Sequence, residues 1–122
     1  MNTHVDARRT FYGNVFPLAE GSLNIVHVNF DTPYTERHRH QDQDDWFFMV
    51  SGVLRFELID PLGEMSRVIL DARMPYPFRV PAQTWHHYTC LTYEGATYVM
   101  WASKAYDAVN PDEEREPLDA PG

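Results

Sequence analysis

One cysteine, Cys90, is all that the 122 residues contain. No disulfide can form within the chain, and the stapled framework of a small secreted domain is excluded. No apolar run approaches the roughly 18 residues of a membrane span. The opening stretch MNTHVDARRT lacks the apolar core of a signal peptide. Basic residues are scarce: ten Lys and Arg stand against 18 Asp and Glu, a formal net charge of −8. Nucleic acid and anionic membrane both need a basic footprint, so both are disfavoured as partners. Internal repeats and low-complexity tracts are missing, and no long segment sustains a helical period. What remains is one cytoplasmic domain, residues 1–122, that meets a small molecule.

What is present reads as strand. Segments rich in Val, Ile, Phe, Tyr, Trp and Thr lie near residues 22–30, 35–40, 45–51, 53–60, 65–70, 77–81, 85–92 and 96–102, several alternating with period two. Turn signals divide them: Thr32-Pro33, Ser51-Gly52, where the glycine permits a tight hairpin, Asp60 to Gly63, Pro75 to Pro77 and Glu94-Gly95. Many short strands at this spacing predict an all-β sandwich or barrel with its core over about 22–105. The acid-rich NPDEEREPLD, residues 110–119, belongs to a polar C-terminal tail of about 106–122 that reads as solvated.

The stretch TERHRHQDQDDWFFMVSG, residues 35–52, holds the candidate chemistry. His38 and His40 lie two apart and share one face of an extended strand, with Arg37 and Arg39 on the other. Arginine is costly to bury, so the histidines are the inward pair. Alternation also groups Asp45 with Phe47 and Met49, and His86 with Tyr88 and Cys90. His38, His40, Asp45 and His86 therefore converge inside a small barrel, with Tyr88 on the same face as His86. The plainer readings are an exposed strand end for the histidine pair, a buried structural histidine for His86 and core packing for Tyr88. Asp42 and Asp44 read as a solvated acidic turn, although Asp44, like Asp45, could orient a histidine. His87 faces outward, Cys90 reads as a small buried apolar residue, and Arg55, Arg73 and Arg79 as scattered surface charge. Trp46 to Met49 are apolar on both faces of their strand, which predicts a covering partner and a homodimer.

The motif order resembles the cupin superfamily. Two histidines one apart, a carboxylate five positions on and Gly52 seven after that match its first motif; Pro81, followed five positions later by His86, matches its second. Asp45 stands where glutamate is usual, Pro75 and Gln83 where glycines are, and Cys90 in place of a terminal asparagine. The implied fold is a double-stranded β-helix, the jelly-roll barrel. Three segments, HRHQDQDDWFFMVSGVLRFELID, FRVPAQTWHHY and AYDAVNPDEEREPLD, are similar to the dTDP-4-dehydrorhamnose 3,5-epimerase and nucleotide-sugar ketoisomerase branch. That resemblance implies a metal-free epimerase or isomerase of an activated keto-sugar. A histidine removes the proton alpha to the keto group, Tyr88 or a second histidine returns one, and Asp45 fixes a tautomer. The same atoms support another chemistry. His38, His40, Asp45 and His86 are a donor set for Fe, Mn, Ni or Zn in a dioxygenase, lyase or cyclase acting on a small organic acid. A non-catalytic sugar- or metal-binding module is the third expectation.

Overall fold

The computed structural model describes residues 2–16, 20–30 and 35–118, with the backbone alone at Tyr12 and at 14–16. The Thr32-Pro33 turn signal lies outside them. Eleven strands and no helix are found among the described residues: β1 (Asn2–Val5), β2 (Arg9–Phe16), β3 (Ser22–Val28), β4 (Glu36–Arg39), β5 (Asp45–Ser51), β6 (Val53–Ile59), β7 (Met65–Asp71), β8 (Phe78–Val80), β9 (Trp85–Cys90), β10 (Ala96–Ala102) and β11 (Glu114–Pro117). Among the described residues, no helix is long and apolar enough to cross a membrane. One sheet runs β1-β2-β3-β10-β5-β8 and the other β11-β4-β9-β6-β7. Each strand pairing is antiparallel.

Period-two alternation builds the layer between the sheets. Along β3, β6 and β9 every second residue is buried. Val26, Met49 and Tyr98 from one sheet meet Leu54, Phe56 and Tyr88 from the other. Phe56 is the hub. It lies edge-on to Phe47 with ring centroids 4.9 Å apart, and 5.2 Å from Tyr88. With no exposed surface, a side chain of this size stabilises the fold by about 2–3 kcal/mol through burial. Register places the histidines along the strands. Leu54 pairs with Cys90 at one end of the second sheet, and Leu58 with His86 toward the other, where His86 in turn pairs with His38. A cavity lined by His38, His40 and His86 opens at that end.

Three sequence expectations change. Gly52 is expected to close a hairpin, yet β5 and β6 lie in different sheets, so it turns the chain from one layer to the other. Its φ of +78° suits glycine, and a Cβ there would collide with the Gly95 carbonyl oxygen. The sheet also begins before residue 22, because β1 and β2 add to β3. Finally, the tail is not wholly solvated. β11 pairs with β4, with Glu114 opposite Arg39 and Glu116 opposite Arg37. Both pairs are ion-paired, Arg39 to Glu114 at 3.0 Å and Arg37 to Glu116 more closely. An edge strand built from ion pairs has the composition of a solvated tail, which is why its sequence reads as one.

Candidate functional site

Four of the five expected site residues meet at the open end of the barrel. β4 turns His38 and His40 inward, β5 opens with Asp45, and β9 supplies His86. The His38 and His86 rings lie 4.2 Å apart, with His40 5.4 Å from His38 and 6.0 Å from His86. One donor atom from each imidazole and one carboxylate oxygen of Asp45 all lie within 4.8 Å of one another. Asp45 and His86 are each only 2% exposed. The cavity they border has a volume of about 890 Å³ and a floor of Phe47, Tyr88 and Tyr98.

Backbone carbonyls set two of the tautomers, because a carbonyl oxygen only accepts. His86 Nδ1 lies 3.0 Å from the Thr84 carbonyl, so Nδ1 holds the proton. Its Nε2 is left with a lone pair, buried and without a hydrogen-bond partner. Burial holds His86 below the ordinary histidine pKa, against the pull of Asp45. His40 Nδ1 donates to the Asp112 carbonyl at 2.6 Å, while its Nε2 faces Asp45 Oδ2 at 3.1 Å. Burial lowers its pKa too, but the hydrogen bond and charge of Asp45 outweigh burial and raise it above the ordinary value. Burial, then the neighbouring His86 and His40, push His38 well below. The site thus sets His40, its pKa raised beside Asp45, against two imidazoles whose pKa values are lowered.

Tyr88, the fifth expected residue, donates to or accepts from Tyr98 hydroxyl to hydroxyl at 2.7 Å. It is both core packing and cavity floor. Asp44 lies outside the cluster, and it is not simply solvated. Its carboxylate takes the Ala82 amide and Arg79, each at 2.8 Å, and so clamps the turn before β9. Asp42 is exposed, as expected. His87 faces outward, with Nε2 3.5 Å from Glu57, and Cys90 is buried. The arginines read as scattered charge each have an acid: Arg55 has Glu57, Arg73 has Asp71 and Arg79 has Asp44.

Sequence reasoning passes over three residues of the site. Gln43 donates from Nε2 to Asp45 Oδ1 at 2.6 Å. Tyr98 holds the Tyr88 hydroxyl, and Asp112 holds His40. Only Tyr98 carries a usable signal, since alternation along β10 places it inward. The other two act across loops, where no periodicity applies.

No family model matches the chain. Over 89 residues it is 27% identical to Agl13 of Haloferax volcanii, described as a probable low-salt glycan biosynthesis epimerase; the match takes in 67% of this chain and 57% of Agl13. The capsular polysaccharide assembling protein CapF from Staphylococcus aureus matches the fold with a TM-score of 0.85 at 17% identity, over 96% of this chain and 32% of CapF. A dTDP sugar isomerase from Desulfovibrio desulfuricans G20 matches with a TM-score of 0.72 at 22% identity, over 88% of this chain and 70% of the isomerase. The chain therefore spans little more than half of Agl13 and a third of CapF. Likeness to solved structures at such identities carries fold and not activity. With both histidine motifs at the open end of two facing antiparallel sheets, the chain is a cupin-fold protein.

Proposed function

We propose that the chain is an epimerase or isomerase of a nucleotide-linked keto-sugar, working by histidine acid–base chemistry without a metal. The observation that carries this reading is the contrast between two neighbouring histidines. His86 presents a fixed, unpartnered Nε2 lone pair, and His40, 3.1 Å from Asp45, has its pKa raised. Environments that push two titratable groups apart assign a base and an acid. In this reading His86 Nε2 takes the proton alpha to the keto group, and the electron pair moves onto the keto oxygen. His40, in its protonated form, stabilises that charge. Tyr88, its hydroxyl held by Tyr98, returns a proton to carbon. Likeness to a probable epimerase and to a dTDP sugar isomerase supports the substrate class. The test is solvent deuterium incorporation into dTDP- and UDP-linked 4-keto-sugars, in chelator. Wild type should exchange the alpha proton, and H86A should lose about 10²- to 10⁴-fold, concentrated in kcat. Binding without exchange by wild type points instead to a non-catalytic module.

A second reading has its own observation: the four-donor cluster. Three imidazoles and a carboxylate within 4.8 Å of one another fit a divalent ion, and the His86 Nε2 lone pair already points at the cluster. His38, His40, Asp45 and His86 would hold Fe, Mn, Ni or Zn. Such an ion, when bound, supplies Lewis acidity to a substrate oxygen. Elemental analysis of protein purified without added metal separates the two. A full equivalent of metal, with activity lost on its removal, selects the second reading.

We also propose a cytoplasmic homodimer. A lone buried thiol suits a reducing compartment, and the exposed apolar face of the first sheet suits a second copy.

A further inference from the structure

The acidic C-terminal stretch does more than complete a sheet. The Asp112 carboxylate accepts three successive backbone amides: Gln41 N–H donates to Oδ1 at 2.8 Å, and Asp42 and Gln43 donate to Oδ2 at 2.9 and 3.0 Å. Hydrogen bonds to an ionised acceptor are the strong kind, and donors on both oxygens fix the carboxylate plane. The Asp112 carbonyl, from the same residue, accepts the His40 Nδ1 proton at 2.6 Å. Both arms end on Asp45. Gln43, whose backbone Asp112 holds, reaches Asp45 Oδ1 at 2.6 Å, and His40, whose far nitrogen Asp112 holds, faces Asp45 Oδ2 at 3.1 Å. One residue about seventy positions away along the chain thus positions a partner for each oxygen of the central carboxylate.

We propose that Asp112 is the positioning residue of the site: its carboxylate shapes the 41–43 turn, its carbonyl fixes the His40 Nδ1 proton and ring, and together they lock Asp45. The proposal rests on reading His38, His40, Asp45 and His86 as the working site. It holds whether that site moves protons or carries an ion, since each task needs the His40 Nδ1 proton and ring orientation fixed. It also gives the NPDEER stretch a role that its charge alone does not suggest.

The test is NMR on the full chain, for wild type, D112A and D112N. In wild type the Gln41, Asp42 and Gln43 amides should be protected from solvent exchange although the Gln41 and Asp42 side chains are exposed. The His40 ring should show one tautomer with a slowly exchanging Nδ1 proton. In D112A the three amides should exchange at least about tenfold faster, while the amides of β6 and β9 keep their protection; the main-chain carbonyl of residue 112 survives the substitution, so the His40 contact is read in wild type. D112N offers one carboxamide oxygen and should fall between. Unprotected 41–43 amides in wild type, 41–43 protection unchanged in D112A, or a freely exchanging His40 Nδ1 proton in wild type overturns the proposal. Should D112A fail to fold, the wild-type signals and D112N decide, and a D112N identical to wild type in 41–43 amide protection overturns it. None of these signals depends on turnover, so wild type inactive on every keto-sugar would sink the proposed function while leaving this inference to its own result.

Discussion

At the scale of single residues, three imidazoles within a few ångströms titrate in opposite directions, and this has consequences for pH. His38 and His86 have folded pKa values below the ordinary value of about 6.5. Below pH ~6.5 the unfolded chain therefore binds protons that the native chain refuses, and their stabilising contribution is lost as pH falls through the folded values. His40 has the opposite sign. Its contribution is complete below about 6.5 and is lost as pH rises through its raised folded pKa. In chelator, denaturant midpoints should fall on both sides of about pH 6.5, before carboxylates such as Asp6 and Asp71, both held down to about 2, begin to matter. H38N should flatten the acid side and H40N the alkaline side. Unchanged slopes in both variants would count against these charge states. The same assignment predicts a bell-shaped pH profile of kcat/KM, its acid limb from His86 and its alkaline limb from His40. The histidines are legible in the sequence because alternation places them on one face. Gln43 and Asp112 are not, because both lie outside the strands, where no alternation assigns a side chain to the site.

At the scale of elements, turn chemistry decides where the second motif lands. Gln83 has φ of +65°, the one positive value at a non-glycine among the described residues. It follows Pro81 and Ala82 in a turn closed by the Thr84 amide on the Pro81 carbonyl, and its own amide donates to the His40 carbonyl at 2.6 Å. A left-handed conformation costs an L-residue about 1–2 kcal/mol, and glycine avoids most of that. Q83G should therefore stabilise the chain by about 1 kcal/mol, read as a rise of about 3–5 °C in Tm, with the amide contact to His40 kept. No rise, or a fall, would mean that the Gln83 side chain contributes more than the strain removes. This position is where the resembling motif has glycine, so the departure is visible in the sequence while its backbone cost is visible only in the fold. The eight strands from β3 to β10 are legible from β-rich composition, bounding turn signals and, in several, alternation. β1 and β11 are not, because an edge strand buries too little to impose a hydrophobic pattern; β1 is exposed along its whole length, and β2, between β1 and β3, is passed over with them.

At the scale of the molecule, the outer face of the first sheet is the feature a single copy leaves unexplained. Trp46, Phe48 and Val50 project from β5 with exposures of 37%, 44% and 58%. In register across β10 lie Trp101 beside Trp46 and Val99 beside Phe48, and beyond them Leu23 and Ile25 on β3. These seven side chains are uncharged and contiguous, the composition of a patch that a monomer rarely exposes. A second copy is the occupant argued for, and charge supplies the discriminating test. Two chains of net charge −8 repel each other, so association through an uncharged face must tighten as salt screens the repulsion. Docking onto a basic partner would weaken instead. Sedimentation should give about twice the 14.3 kDa chain mass at micromolar concentration, with a dissociation constant that falls as salt rises. W46E/F48E places like charges in a face that meets its own copy, and should give a folded monomer with the β-rich circular dichroism of wild type. Wild type that sediments as a monomer at every salt concentration would remove the dimer and leave the histidine site untouched, because none of the seven side chains borders the cavity.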